Sequence, residues 1–257
     1  MLEDERPRGE ALALFGREAE TALVDQTLAD LPVRGGALGL YGPCGLGRSA
    51  MLHYAAARAS ESGFAVLRAA GSSNESEVAY AALNQVLQPV YPHVARLPQR
   101  VTDALYGVVD PPGGPCAPEE VAVSLARVTQ RLSSQRPLLV LVDDAELTDA
   151  MSTAVLLNLF SRQWQPGCSL IVAGQDQARA GGWETIPAHT LQALAPSLSR
   201  ILVTRSYPDL PPSSVGAVVS SSGGYPLVLR ELALEASIDP PGSPKRSPTV
   251  SCRSRHG

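Results

Sequence analysis

Between residues 37 and 67 the chain changes texture three times. The apolar run Ala37-Leu38-Gly39-Leu40-Tyr41 stops at the glycine-rich stretch Gly42–Gly47. An Ala- and Leu-rich segment follows, from Arg48 or Ser49 to about Ser62, and then a second apolar run, Phe64-Ala65-Val66-Leu67. Strand, loop, helix, strand at this spacing is the unit from which parallel sheets are built, because parallel strands need a crossover between them. Two more runs extend the pattern. Pro137–Val142 is continuously apolar, as a strand buried on both faces must be, and Cys168–Ala173 reads the same way. Helices are expected over 16–31, 78–90, 96–109, from Glu119 onward, and over 149–162, with 110–115 (Asp-Pro-Pro-Gly-Gly-Pro) as a loop. The expected fold is therefore α/β, a three-layer αβα arrangement around a mainly parallel sheet spanning residues 14–190. Short amphipathic pieces over 191–236 point to a small helical subdomain. Residues 1–13 read as a flexible arm. The Pro-, Ser- and Arg-rich stretch 237–257 reads as a disordered tail, whose texture would also fit a frameshift after about Ser237.

Composition removes several classes of function. No apolar stretch approaches the roughly 18 residues that span a bilayer. The charged start Met1-Leu2-Glu3-Asp4-Glu5-Arg6 is unlike a signal peptide, so a cytoplasmic protein with no membrane partner is expected. Net charge is −4, with Lys245 the single lysine among 21 basic residues. No basic field is available to grip a nucleic-acid backbone. The four cysteines and four histidines lack paired metal-ligand spacing, which points to reduced thiols and no zinc. His53 reads as an ordinary helix residue.

The stretch Gly42-Pro43-Cys44-Gly45-Leu46-Gly47-Arg48-Ser49 matches the phosphate-loop pattern G-x-x-x-x-G-K-[S/T] except at Arg48. Its position between a strand and a helix is the required context. Glycines let backbone N–H groups curl round phosphate oxygens, and the following helix N-terminus adds partial positive charge. Gly42 through Ala50 are thus the candidate phosphate-binding residues, with the Ser49 hydroxyl offered to Mg²⁺. Arginine keeps the lysine's charge but presents a broad planar fork in place of a compact ammonium. Binding is compatible with that change; efficient hydrolysis is not expected. A second cluster, Val142-Asp143-Asp144-Ala145-Glu146, ends the most apolar strand. Asp143 is the candidate Mg²⁺ ligand and Asp144 the candidate catalytic residue that polarises water. The plainer alternatives are a tight turn with Ser49 as helix cap, and two solvated acids with Asp149 capping the next helix.

These residues carry a resemblance. Leu14-Phe15-Gly16-Arg17-Glu18-Ala19-Glu20 resembles the opening box of STAND-type P-loop ATPases, as does Gly36-Ala37-Leu38 leading into the loop. With residues 64–71, Tyr80–Leu87 and Leu139–Ala145, they are similar to the N-terminal ATPase region of the large ATP-binding regulators of the LuxR family, over roughly residues 14–235. The resemblance implies an AAA-like core and helical subdomain that bind ATP or ADP with Mg²⁺ and switch between nucleotide states to control transcription. It implies that Phe15, Gly16 and Arg17 lie near adenine. It also implies that Pro226, in Gly223-Gly224-Tyr225-Pro226-Leu227, packs on the base, although a helix-initiating turn would equally need a proline there. Two positions depart from the family: Arg48, and Gln175 where an arginine able to sense the γ-phosphate is usual. No DNA-reading helix-turn-helix is visible. The expectation is a regulatory nucleotide-binding module with weak or no hydrolysis, nucleotide-dependent self-association and no specific DNA binding of its own. An active Mg²⁺-dependent ATPase and a non-binding remnant of a larger regulator are the alternatives.

Overall fold

The computed structural model describes residues 14–94, 98–108, 116–161 and 166–238. The expected arm, the whole 110–115 loop and all but the start of the expected tail lie outside the described residues. In chain order come α1 (Glu18–Asp30), β1 (Gly36–Tyr41), α2 (Arg48–Glu61) and β2 (Ala65–Ala70). They are followed by α3 (Ala81–Leu87), a 3-10 turn over Gln88–Val90, α4 (Tyr91–Val94), α5 (Gln99–Tyr106) and α6 (Pro118–Ser133). Next are β3 (Leu138–Asp143), α7 (Ala150–Ser161), β4 (Cys168–Gly174), α8 (Asp176–Ala180) and β5 (Ala188–Thr190). The chain then forms α9 (Pro196–Ser206), α10 (Pro212–Ser222) and α11 (Pro226–Ile238). Among the described residues no helix is long and apolar enough to cross a membrane.

The chain divides into two compact units. One contains Ala19–Gly42 and Arg48–Leu191; the other contains the described parts of Met1–Glu18 and Gln192–Gly257 together with Pro43–Gly47. In the first unit the five described strands form one sheet in the order β2-β3-β4-β1-β5, every neighbouring pair parallel. Leu138, Val140 and Val142 alternate with Leu139 and Leu141 along β3, and all five are buried. β4 is buried from end to end. Strands with two buried faces need helices above and below, which makes the αβα layering a consequence of these two sequences. On one face, β3 and β4 side chains join Leu83, Val86 and Leu87 of α3, Val121, Leu125 and Val128 of α6, and Val155 and Leu156 of α7 in one core. α2 lies against β2, β3 and β4, burying Met51, Leu52, Ala55, Ala56 and Ala59. Burial pushes the Cys168 thiol in β4 up to about 12, so it is an inert core residue.

Several expectations change. The first helix, expected over 16–31, spans Glu18–Asp30 and buries Glu20, Val24 and Leu28. β2 begins at Ala65 and runs on to Ala70, because its whole length pairs with β3 from Ala65↔Leu138 to Ala70↔Asp143. The helix expected over 78–90 starts at Ala81, since Tyr80 adopts a left-handed conformation at φ 64°. Of the separate helix expected over 96–109, the described residues form α5 over Gln99–Tyr106. β5 was not expected: Ala188-His189-Thr190 carries no apolar run, and it exists by pairing with Gly39–Tyr41 at the sheet edge.

The second unit has its own small core of Leu194, Leu202, Val203, Val215, Val218, Leu229 and Ala233, with Phe15 packed against it. The short amphipathic pieces expected over 191–236 are three helices here. Pro196, Pro212 and Pro226 each open a helix, where the missing N–H has no intrahelical partner to lose.

Candidate functional site

The glycine-rich loop leaves β1 at Gly42 and enters α2 at Arg48. Gly42, Gly45 and Gly47 all have positive φ, at 149°, 87° and 96°. A Cβ on Gly47 would meet nothing within 4 Å, so the space beside that backbone is open. The Gly42 N–H donates to the Gly174 carbonyl at 3.2 Å, tying the end of β1 to the end of β4. Ser49 is exposed in the first turn of α2, and Ala50 is half-buried behind it. The helix begins at Arg48, so Ser49 is inside it and is not its cap.

Within the second unit, Pro43–Gly47 is held by backbone contacts. The Leu227 N–H, one residue after Pro226, donates to the Gly45 carbonyl at 3.3 Å. The buried Arg17 guanidinium donates to the Leu46 carbonyl and to the Gln192 carbonyl, each at 2.8 Å. A Cβ on Gly16 would press on Leu194 and Leu198, and the Arg205 guanidinium lies 5.5 Å from the centre of the Phe15 ring. Phe15, Gly16, Arg17, Pro43, Cys44, Gly45, Leu46, Gly47 and Pro226 therefore belong to the helical unit. Gly42, Arg48, Ser49, Ala50, Asp143 and Asp144 belong to the sheet unit.

Arg48 is the unusual residue. Its side chain is only 8% exposed and faces two carboxylates: Nη2 is 3.5 Å from Asp144 Oδ1, and Nη1 is 3.7 Å from Glu146 Oε1. Nη1 is buried and makes no hydrogen bond. A buried charged N–H without an acceptor is costly, and this one lies at the start of the helix that follows the glycine loop. Asp143 Oδ1 accepts the Asp144 N–H at 2.9 Å, and Asp144 itself sits in the left-handed region at φ 45°. Burial, with the Asp143 and Glu146 carboxylates adding to it, holds the Asp144 carboxyl above its ordinary value against the pull of Arg48.

Glu146 is the residue that pattern reading passed over. Its Oε1 faces Arg48, and its Oε2 accepts the Gln175 N–H at 2.8 Å. One side chain thus links the helix after the glycine loop to the end of β4. A Cβ on Gly174 would stand 2.9 Å from the same Oε2, so glycine is what lets the carboxylate approach. The cluster of acids in Asp143-Asp144-Ala145-Glu146 was the available signal, but nothing local pairs it with residue 48. Asp149 does more than cap α7. Its carboxylate accepts the Ser152 N–H at 2.8 Å and also the Tyr80 and Ala82 N–H groups at 2.8 and 3.1 Å. No group of three or more potential metal-ligating side chains occurs among the described residues. A cation here would need oxygen donors from its own ligand, as Mg²⁺ with a polyphosphate has.

Residues 13–172 match the family model described as the AAA ATPase domain. No curated protein sequence matches the chain. Among solved structures, Cdc6p from Pyrobaculum aerophilum is similar at 14% identity and a TM-score of 0.55, covering 88% of this chain and 63% of that one. ORC2 from Aeropyrum pernix, solved as ADPNP–ADP complexes, gives 16% identity and a TM-score of 0.50 over 84% of this chain and 61% of that one. A chain of the HORMA–CdnC–Trip13 complex of E. coli MS115-1 gives 11% identity and 0.53, covering 86% of this chain and 78% of that one. At such identities the likeness is one of fold. The chain spans less than two thirds of the length of the Cdc6p and ORC2 chains.

Proposed function

Because the chain belongs to the AAA ATPase domain family, we propose that it is a regulatory ATP- and ADP-binding module of the STAND type with weak or no turnover. The observation that carries the reading is the buried Arg48 guanidinium, with Nη1 unbonded, directly after a loop whose glycines have positive φ. That arrangement suits an anion: N–H groups along Gly42–Ala50 and a helix N-terminus would donate to phosphate oxygens, and Nη1 would gain the acceptor it lacks. The ORC2 structure holds ADPNP and ADP, and the same ligand class is brought here to this chain. Mg²⁺, when bound with nucleotide, would supply a compact positive charge to the phosphates, held through the Ser49 hydroxyl and Asp143.

Weak turnover follows from the geometry of the cation. Asp144, the candidate for polarising water, stands 3.5 Å from the Arg48 guanidinium. The guanidinium engages Oδ1 of that carboxylate, so the oxygen is occupied where a water would need it. Lysine offers a single mobile ammonium and cannot face two carboxylates with one rigid fork. Arg48→Lys should therefore raise ATP hydrolysis about tenfold, a 1.4 kcal/mol change in barrier, and Asp144→Asn on that background should return it to baseline. A phosphate-release assay checks this. An unchanged rate in Arg48→Lys would move the limit to Gln175 or to absent partner subunits.

The regulatory part of the proposal runs through protein contacts, as the LuxR-type resemblance implies, within the cytoplasm. The chain is net acidic at −4, and its basic residues cluster only in the Arg-rich stretch after residue 237, which suits weak, sequence-blind attraction to duplex DNA at most. Sedimentation velocity should show a larger species with ATP and Mg²⁺ than without. Salt-resistant, sequence-selective DNA binding by the isolated chain in a gel shift would contradict the reading.

A further inference from the structure

We propose that Glu146 is an affinity-determining residue of this site: it is a built-in counter-ion that competes with phosphate for Arg48. The inference rests on the nucleotide reading above and deepens it. The two carboxylates facing Arg48 are not equivalent. The Asp144 side chain is 45% exposed and the Glu146 side chain 9%. Water screens the first pair far more than the second, so Glu146 exerts the stronger hold at a similar distance. Asp144 can turn its carboxylate to solvent. Glu146 cannot readily do so, because its Oε2 is committed to the Gln175 N–H and packs close to Gly174.

Two opposing effects follow for a polyphosphate. The unbonded Nη1 favours an incoming phosphate oxygen, which would complete its hydrogen bonding. The fixed Glu146 charge opposes the same phosphate, and any movement of the guanidinium toward it leaves a buried carboxylate with less compensation. Binding is thus an exchange of partners at Arg48, from carboxylate to phosphate. A cation arriving with the nucleotide restores part of the lost positive charge, so metal-free nucleotide should feel Glu146 most.

Glu146→Gln isolates this effect. The amide oxygen can still accept the Gln175 N–H, and the side chain keeps its size while losing its charge. Calorimetric titration of ADP, in EDTA and in Mg²⁺, reads the outcome on the full chain. In EDTA the Kd for Glu146→Gln should fall about tenfold below wild type, equivalent to 1.4 kcal/mol, and the gap between EDTA and Mg²⁺ should narrow. The double variant Glu146→Gln, Arg48→Met should lose the gain, because the exchange needs the guanidinium. An EDTA Kd equal to or weaker than wild type overturns the competition and leaves the nucleotide reading standing. If folded wild type and folded Glu146→Gln, checked by circular dichroism, both fail to bind ADP, the nucleotide reading falls and this inference with it.

Discussion

Gly47→Val should abolish nucleotide binding while the protein stays folded. Gly47 has φ 96°, a conformation that a β-branched residue adopts only under strain. The strain costs about 1–3 kcal/mol wherever the backbone is held to it. No neighbour obstructs the new side chain, since a Cβ at this position meets nothing within 4 Å. The fold therefore pays only that local cost. Binding suffers more. If backbone N–H groups of the loop wrap a phosphate, the open space beside Gly47 is the space the phosphate fills, and valine methyls occupy it. A Kd at least about 100-fold weaker for ADP is expected, near 2.8 kcal/mol, with a thermal midpoint within a few degrees of wild type. Calorimetry with a parallel melting curve measures both. Unaltered affinity in a folded variant would remove the loop from the binding site.

Asp149→Ala should be the most destabilising single change outside the apolar core. The Asp149 side chain is buried, and its carboxylate is shared by three backbone N–H groups, of Tyr80, Ala82 and Ser152. One of these caps α7; the other two hold the left-handed turn at Tyr80 and the start of α3. Losing a helix cap costs about 1 kcal/mol. Leaving two further buried donors without an acceptor adds about 1–3 kcal/mol each. A loss of about 3–7 kcal/mol is expected in a urea titration, a large share of the stability of a domain this size. Asp149→Asn should lose less, because the amide oxygen can still accept from part of the set. The neighbouring Ser152 does not compensate: its Oγ is already occupied with the Leu83 N–H at 2.8 Å. A loss below about 1 kcal/mol would mean that the α3 start is held by packing alone.

What the sequence alone determined is the local part of this protein. Apolar runs long enough to be strands and too short to span a membrane located β1, β3 and β4, because a strand buried on both faces must be apolar throughout. The glycine spacing from Gly42 to Gly47 located the loop, because only glycine takes three positive-φ positions without strain. Short amphipathic pieces broken by serine and proline over 191–236 pointed to a helical subdomain, because proline ends a helix that precedes it.

Tertiary structure decided everything that depends on a partner distant in the chain. β5 has no apolar signature and is a strand only because β1 offers it a free edge. β2 runs three residues beyond its apolar run because β3 supplies hydrogen bonds for its full length. Tyr80 interrupts an otherwise helical pattern because a carboxylate 69 residues away captures its N–H. The same holds at the site. Residues 42–49 and 143–144 were legible as separate patterns, but the pairing of Arg48 with Asp144 spans 96 positions. The role of Glu146 appears only when β1, β3 and β4 lie side by side. Periodicity and turn chemistry record what each residue does to its neighbours in sequence. Charge pairing and burial record which residues the sheet order brings together, and no local pattern encodes that.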